Sequence, residues 1–359
     1  MRLDRLRIDG LRCLSDIDLS LSPSINLFVG DNGAGKTSVL EAAFLLSRAG
    51  SFRSGSKDAL LQRGARRLSV FAELRRADDQ IARIGLGRET ARWEAKVDGE
   101  SAAIGELVRQ CPVVCFEPGS HALIAGPADE RRRYMDWGVF HVEHDFLFQW
   151  RRYQRALKQR NSLLRSSYSS SDDLFDPWET ELAQTAERID RFRRNYLESL
   201  RPKLANSAMA LLPELGSLDL CYRSGWPENR DFLTTLRNNR GKDMARGHTT
   251  AGPHRGDWSI AFENAPFREH LSRGQEKLTA LGCMLAQAEL HADIRGEWPI
   301  VCLDDLASEL DQAHQSAVVA QLMAVGAQVL LTGTEIPQAL DAISATVFHV
   351  EQGTVTPLL

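Results

Sequence analysis

The amino-acid sequence predicts an α/β fold: a mixed sheet assembled from both ends of the chain, interrupted by an inserted, mostly helical lobe. Three observations carry this expectation. Short β-rich runs crowd the first part of the chain, with a glycine-rich loop among them. From about residue 126 the apolar residues recur at helical spacing instead. From about residue 249 strand-like runs return, the last at 329–332 and 346–350. The expected organisation is a head made of residues 1–125 and 245–359, with the lobe at 126–244.

Taken in order, residues 3–8 and 17–21 read as strands leading to a third at 25–29. The third runs into Gly30-Asp31-Asn32-Gly33-Ala34-Gly35-Lys36-Thr37, and Ser38 opens a helix with Val39, Leu40, Phe44 and Leu45 on its apolar face. The pattern G-x-x-x-x-G-K-[ST] is short enough to arise in any glycine-rich turn, so the flanks decide. Strand, glycine loop and helix start together aim backbone N–H groups and a helix N-terminus at an anion. Gly30, Gly33 and Gly35 let the chain curl around a phosphate. Lys36 would reach the β- and γ-phosphates of ATP, and the Thr37 hydroxyl would ligate Mg²⁺.

Runs at 68–74, 81–85 and 93–97, the last closed by an Asp98-Gly99 turn, predict an antiparallel meander. A buried strand is expected at 112–116. In the lobe, residues 148–165 place Trp150, Tyr153, Leu157 and Leu164 on one stripe. A serine-rich loop at 166–173 follows. Asp176-Pro177-Trp178-Glu179 then restarts a helix, with Asp176 as capping carboxylate, so a helical hairpin is expected.

With 359 residues the chain has room for two domains, or for one carrying an insertion. No apolar stretch approaches the ~20 residues of a membrane span, and residues 1–7 lack the apolar core of a signal peptide. The cysteines at 13, 111, 115, 221, 283 and 302 are scattered without metal-ligand spacing, as free thiols of a cytoplasmic protein would be. A net charge of −4 argues against general coating of nucleic acid, so any DNA-binding field must be local or assembled by oligomerisation.

Later motifs narrow the chemistry. The apolar run 299–303 ends in Asp304-Asp305, a Walker B arrangement in which Asp304 helps hold Mg²⁺ and Asp305 orients or deprotonates the attacking water. Leu271-Ser272-Arg273-Gly274-Gln275 precedes a helix at 278–290 and resembles the ABC signature L-S-G-G-Q. Ser272, Gly274 and Gln275 at that helix start make a second anion site, useful only in trans, when another protomer presents it to the γ-phosphate. Ser308-Glu309-Leu310-Asp311 stands at the spacing of a D-loop, and Thr332 or Thr334 is the candidate switch residue. Read alone, the signature is also what a capped surface helix looks like, and the acid pair what a polar turn looks like. Their order along one chain argues for an ABC-type P-loop ATPase head.

The chain resembles the bacterial RecF recombination-mediator family essentially end to end. The resemblance rests on the 30–38 loop, Gly126-Pro127 with Arg131-Arg132-Arg133-Tyr134-Met135-Asp136-Trp137, and Lys158-Gln159-Arg160-Asn161. Thr250-Ala251-Gly252-Pro253-His254-Arg255, the Ser272 signature and the Asp304-Asp305 segment complete it. It implies a cytoplasmic, SMC-like ABC ATPase that dimerises on ATP and binds gapped or junction DNA. It also implies RecR and RecO as partners in loading recombinase, with no membrane. Asp305 stands where most ABC enzymes carry Glu, which implies slow turnover.

Residues 147–165 contain Arg151, Arg152, Arg155, Lys158, Arg160 and Arg165 and no acid. Arg151, Arg155, Lys158 and Arg165 fall on one helical face, and of these Arg151, Arg155 and Lys158 are the candidate DNA contacts; a solvated charged face reads the same way. Six phosphate contacts would give a salt slope of about −5 on duplex DNA. Two other functions stay open: a nucleotide-binding subunit of another ABC system, and a structural ATP clamp with negligible hydrolysis.

Overall fold

The computed structural model describes residues 1–53, 57–89, 92–166, 172–340 and 343–358. They separate into two compact units, one formed by Met1–Ser120 with Arg273–Leu359 and the other by His121–Ser272.

The first unit contains two six-stranded sheets. One is antiparallel throughout, in the order Ile17–Ser20, Arg2–Asp9, Arg67–Arg75, Ile81–Glu89, Arg92–Val97 and Glu100–Ala102. Its period-two pattern is visible in Arg67–Arg75, which buries Leu68, Val70, Ala72 and Leu74 on one face. The other sheet is mostly parallel, ordered Thr354–Pro357, Ala345–Glu351, Ile25–Val29, Val329–Gly333, Ile300–Leu303 and Val113–Phe116. Ile25–Val29 and Val329–Gly333 are buried at every position, as central parallel strands covered on both faces must be.

Helix Lys36–Arg48 lies between these sheets, which is why so much of it is buried beyond the apolar stripe expected from sequence. The buried Gln328 joins the two sheets. Its amide nitrogen donates to the carbonyls of Leu3 and Ser22, and its oxygen accepts from the Leu3 N–H. These bonds offset the desolvation of a buried amide.

The second unit is a helical hairpin of Phe146–Arg165 against the 36-residue Asp176–Leu211, joined by Ala128–Val142 and shorter helices. An antiparallel ribbon pairs Leu218–Arg223 with Asp257–Phe262. Residues 245–272 pack inside this unit, whereas the sequence placed them with the head. The ribbon is the reason: residues 257–262 complete their hydrogen bonding on a strand of the lobe. Most of the serine-rich loop expected at 166–173 falls outside the described residues. Asp176 does not cap its helix; its carboxylate pairs with Arg240 and Arg237, and the helix begins without a side-chain cap. No described helix is long and apolar enough to cross a membrane.

Candidate functional site

The loop after the Ile25–Val29 strand has its shape imposed by close packing. A Cβ on Gly30 would sit 2.0 Å from the Val350 carbonyl oxygen, so the loop starts where only glycine fits. Gly35, the residue before helix Lys36–Arg48, takes φ 119°, and a Cβ there would approach Cys13 Sγ to 2.9 Å. The Ala34 N–H donates to the Asp31 carbonyl and the Ser38 N–H to the Gly35 carbonyl, closing the turn. Asp31, Asn32 and Gly33 are exposed at its tip.

Lys36 is buried, and its ammonium donates to the carbonyls of Gly30 at 2.7 Å and Asp31 at 2.9 Å. The charge is thereby held at the mouth of the loop by neutral acceptors, not by a carboxylate. Such a cation keeps its field for an incoming anion.

Beside it, the hydroxyl of Thr37 donates to Asp304 Oδ1 at 2.9 Å. The Thr332 hydroxyl donates to the same oxygen at 2.7 Å and accepts from the Asp305 N–H at 2.8 Å. One threonine therefore fixes both acids. Of the two switch candidates it is Thr332, fully buried, that faces the carboxylates, while Thr334 is exposed.

Burial raises the Asp304 pKa above the ordinary carboxylate value, with the two threonine hydroxyls opposing the shift. Asp304 forms no ion pair among the described residues. A buried carboxylate paired only with hydroxyls, next to a threonine oxygen, is a hard-oxygen donor set that fits Mg²⁺, which takes one or two carboxylates and shares the rest of its shell with phosphate.

Asp305 turns the chain in the left-handed region, φ 53°, which Asp tolerates better than most residues. Its carboxylate accepts from the Ser308 hydroxyl at 2.7 Å, so the acid is oriented by the D-loop serine. Leu271 and Ser272 precede helix Arg273–Arg295, whose first turn carries the exposed Gly274 and the half-buried Gln275. Within that helix Lys277 pairs with Glu309 at 2.7 Å, which ties the signature helix to the D-loop. Spacing alone did not suggest this link.

The basic helix divides into two classes. Arg151, Arg155 and Lys158 are exposed and form no ion pair among the described residues. Arg152 is paired with Glu181. Arg160, counted among the surface cations by sequence, is fully buried and joins Glu179, Asp243, the Thr249 hydroxyl and the Leu236 carbonyl. Helical phase could have flagged it, because Arg160 follows Tyr153, Ala156 and Leu157 on the buried side. The three arginines at 131–133 are likewise spoken for, by Asp257, Asp129 and Glu130 respectively.

The sequence matches the family described as RecF/RecN/SMC N terminal domain over residues 2–356. The chain belongs to the RecF family. It is 46% identical to the DNA replication and repair protein RecF of Xanthomonas euvesicatoria pv. vesicatoria (strain 85-10), covering 99% of this chain and 98% of that one. It is 37% identical to the protein of the same name from Pseudomonas aeruginosa (strain LESB58), covering 99% and 98%. A solved structure of the recombination mediator protein RecF-ATP in the RecFOR pathway superposes with a TM-score of 0.91 at 28% identity, covering 99% of this chain and 97% of that chain. The Smc head bound to the C-winged helix domain of ScpA matches at TM-score 0.58 and 16% identity, over 100% and 97% of the two chains, which shows a shared fold. The expectation of a RecF-type, SMC-like ABC ATPase fold is borne out.

Proposed function

We propose that this protein is an ATP-gated DNA-binding switch of recombinational repair, acting in the cytoplasm. It closes into a dimer on ATP at gapped or junction DNA, works with RecR and RecO to load recombinase, and reopens on slow hydrolysis. The observation that carries the reading is the chain Thr37–Asp304–Thr332–Asp305, which couples a phosphate-binding loop to two acids with distinct partners. The relatives' names, DNA replication and repair protein RecF and recombination mediator protein RecF-ATP, supply the biological class.

The chain's own residues divide the work. Lys36 and the N–H groups of residues 30–38 bind and orient the β- and γ-phosphates. Thr37 and Asp304 hold Mg²⁺, which when bound neutralises phosphate charge. Asp305, steered by Ser308, orients the attacking water and takes its proton. Ser272, Gly274 and Gln275 of a second protomer complete the site, because a helix N-terminus acts on a γ-phosphate only at contact distance. ADP lacks that phosphate, so hydrolysis removes the reason for closure.

A mixing experiment tests the trans arrangement. Ser272→Arg is expected to bind ATP but neither dimerise nor hydrolyse it, and Lys36→Met to lose ATP binding. Mixed, the two variants regain part of the ATPase rate, since one composite site keeps an intact Lys36 and an intact Ser272. Heterodimers seen by sedimentation without rescue at any ratio, or hydrolysis by a monomer, would overturn the arrangement.

A further inference from the structure

Within the His121–Ser272 unit lies a concavity of about 620 Å³, lined by residues that the nucleotide site does not use. Its lining includes Trp226, Pro227, Ser224, Gly225, Asp257 and the two arginines Arg223 and Arg255. The volume is that of a small-ligand site.

The lining at Ser224 and Gly225 is fixed. The Gly252 N–H donates to the Gly225 carbonyl at 3.0 Å, and a Cβ on Gly225 would stand 2.3 Å from the Gly252 carbonyl oxygen. The Ser224 hydroxyl donates to the Trp226 carbonyl, and the half-buried Trp226 ring packs on Phe232 with centroids 4.7 Å apart. A half-buried aromatic side chain thus lines the concavity on a rigid turn.

The charge balance is uneven. Asp257 is engaged by a bidentate Arg131 at 2.7 and 3.0 Å, Arg132 pairs with Asp129, and Arg193 pairs with Asp136. Arg223 is left 3.8 Å from the already engaged Asp257, and the exposed Arg255 forms no ion pair among the described residues. The acid at the rim, Glu228, is solvent-exposed and faces Arg194 at 3.6 Å. Two arginines beside one aromatic side chain, with their local carboxylates engaged elsewhere, match a phosphate next to a base.

The turn that carries Arg255 is also tied to the basic helix. His254 Nδ1 lies 2.6 Å from the hydroxyl of Tyr153, on the helix that exposes Arg151, Arg155 and Lys158. The concavity and the candidate backbone-binding face are thus braced by one hydrogen bond.

Building on the proposed DNA-binding role, we propose that this concavity captures one unpaired nucleotide of single-stranded DNA, with the base on Trp226 and its phosphate between Arg223 and Arg255. Duplex phosphates alone cannot distinguish a gap from a continuous helix, because they carry no such information. A base can reach an aromatic face only where it is unstacked and unpaired. The concavity would therefore let the protein recognise the single-stranded side of a junction.

The test uses the full chain with ATP, continuous duplex, gapped duplex, and gapped duplex with 2-aminopurine beside the duplex end. Wild type is expected to prefer the gap and to quench the 2-aminopurine. Arg223→Ala and Arg255→Ala, both at exposed positions, are expected to lower gapped-DNA affinity about tenfold while continuous-duplex affinity stays within about twofold. Trp226→Leu is expected to abolish the quench. Equal losses on both DNAs, or an unchanged gap preference, overturn the site while leaving the DNA-binding role standing. Wild type that binds neither DNA overturns that role and the site with it. An aspartate-rich peptide that occupies the concavity and resists displacement by single-stranded DNA also overturns it, in favour of a protein partner.

Discussion

Asp304 is treated unlike the buried carboxylates of the helical unit, and unlike Glu41 of its own unit, which is fully buried and pairs with Arg12. In the helical unit Glu179 and Asp243 are fully buried, and both bond to Arg160, which is itself fully buried. The half-buried Asp136 is matched by the fully buried Arg193. In the nucleotide-binding unit Asp304 is nearly as buried, yet its side-chain partners are two threonine hydroxyls. A neutralised buried charge is architecture. A buried charge bonded only to hydroxyls retains a field that a cation can satisfy, and in this protein it lies beside the glycine loop, through Thr37.

The difference predicts opposite responses to removing charge. Arg160→Met strands two buried carboxylates and is expected to cost about 3–5 kcal/mol of unfolding free energy, measured by urea titration. A loss below about 1 kcal/mol would mean that the network is solvated. Asp304→Asn keeps an oxygen acceptor for Thr37 and Thr332 and removes a desolvated charge. Its stability is expected to be unchanged or to rise, while Mg²⁺-dependent nucleotide retention is lost. Asp305→Asn should retain nucleotide and slow hydrolysis by about 10²–10⁴-fold. Equal loss of ATP binding in both variants would erase the division of labour between the acids.

The smallest effect concerns pH. Burial lowers the pKa of His254 to about 4 from its ordinary 6.5, with Arg255, Arg132 and Arg193 adding to the shift. His291, in the other unit, is lowered to about 4 by its own burial. Between these values the unfolded chain binds more protons than the folded one, so stability rises with pH. The contribution is complete above about pH 6.5 and is lost as pH falls towards about 4. Urea midpoints of His254→Asn should approach those of wild type as the solution is acidified through that window. A constant gap from pH 7 to pH 4.5 would show that His254 titrates normally.

What sequence made legible was local. The strand, glycine loop and helix at 25–48 and the strand that ends at Asp304-Asp305 were readable because each is set by a few consecutive residues and the strands are short and apolar. The meander at 67–97 was readable from period-two alternation. The partners of the lobe's charges were not: helical phase puts Arg160 on the buried side, but nothing local points to Asp243, 83 residues away, as its partner. Asp176 illustrates the same limit: it has a capping residue's sequence context, but Arg240 competes for its oxygens. Thr332 was one of two candidates, and only the depth of its strand separates it from Thr334. The return boundary near residue 245 was placed too early because the ribbon partner of 257–262 lies upstream, at 218–223.

The packing of Gly30 under the Val350 carbonyl has an implication for synthesis. Gly353 adds a second tie, its N–H donating to the Ala34 carbonyl at 2.9 Å. The strand and turn that brace the loop are synthesised long after the loop itself. A nascent or prematurely ended chain therefore carries the loop's sequence without its support. A fragment that stops short of residue 350 is expected to carry a loop that does not hold nucleotide, measured by calorimetry.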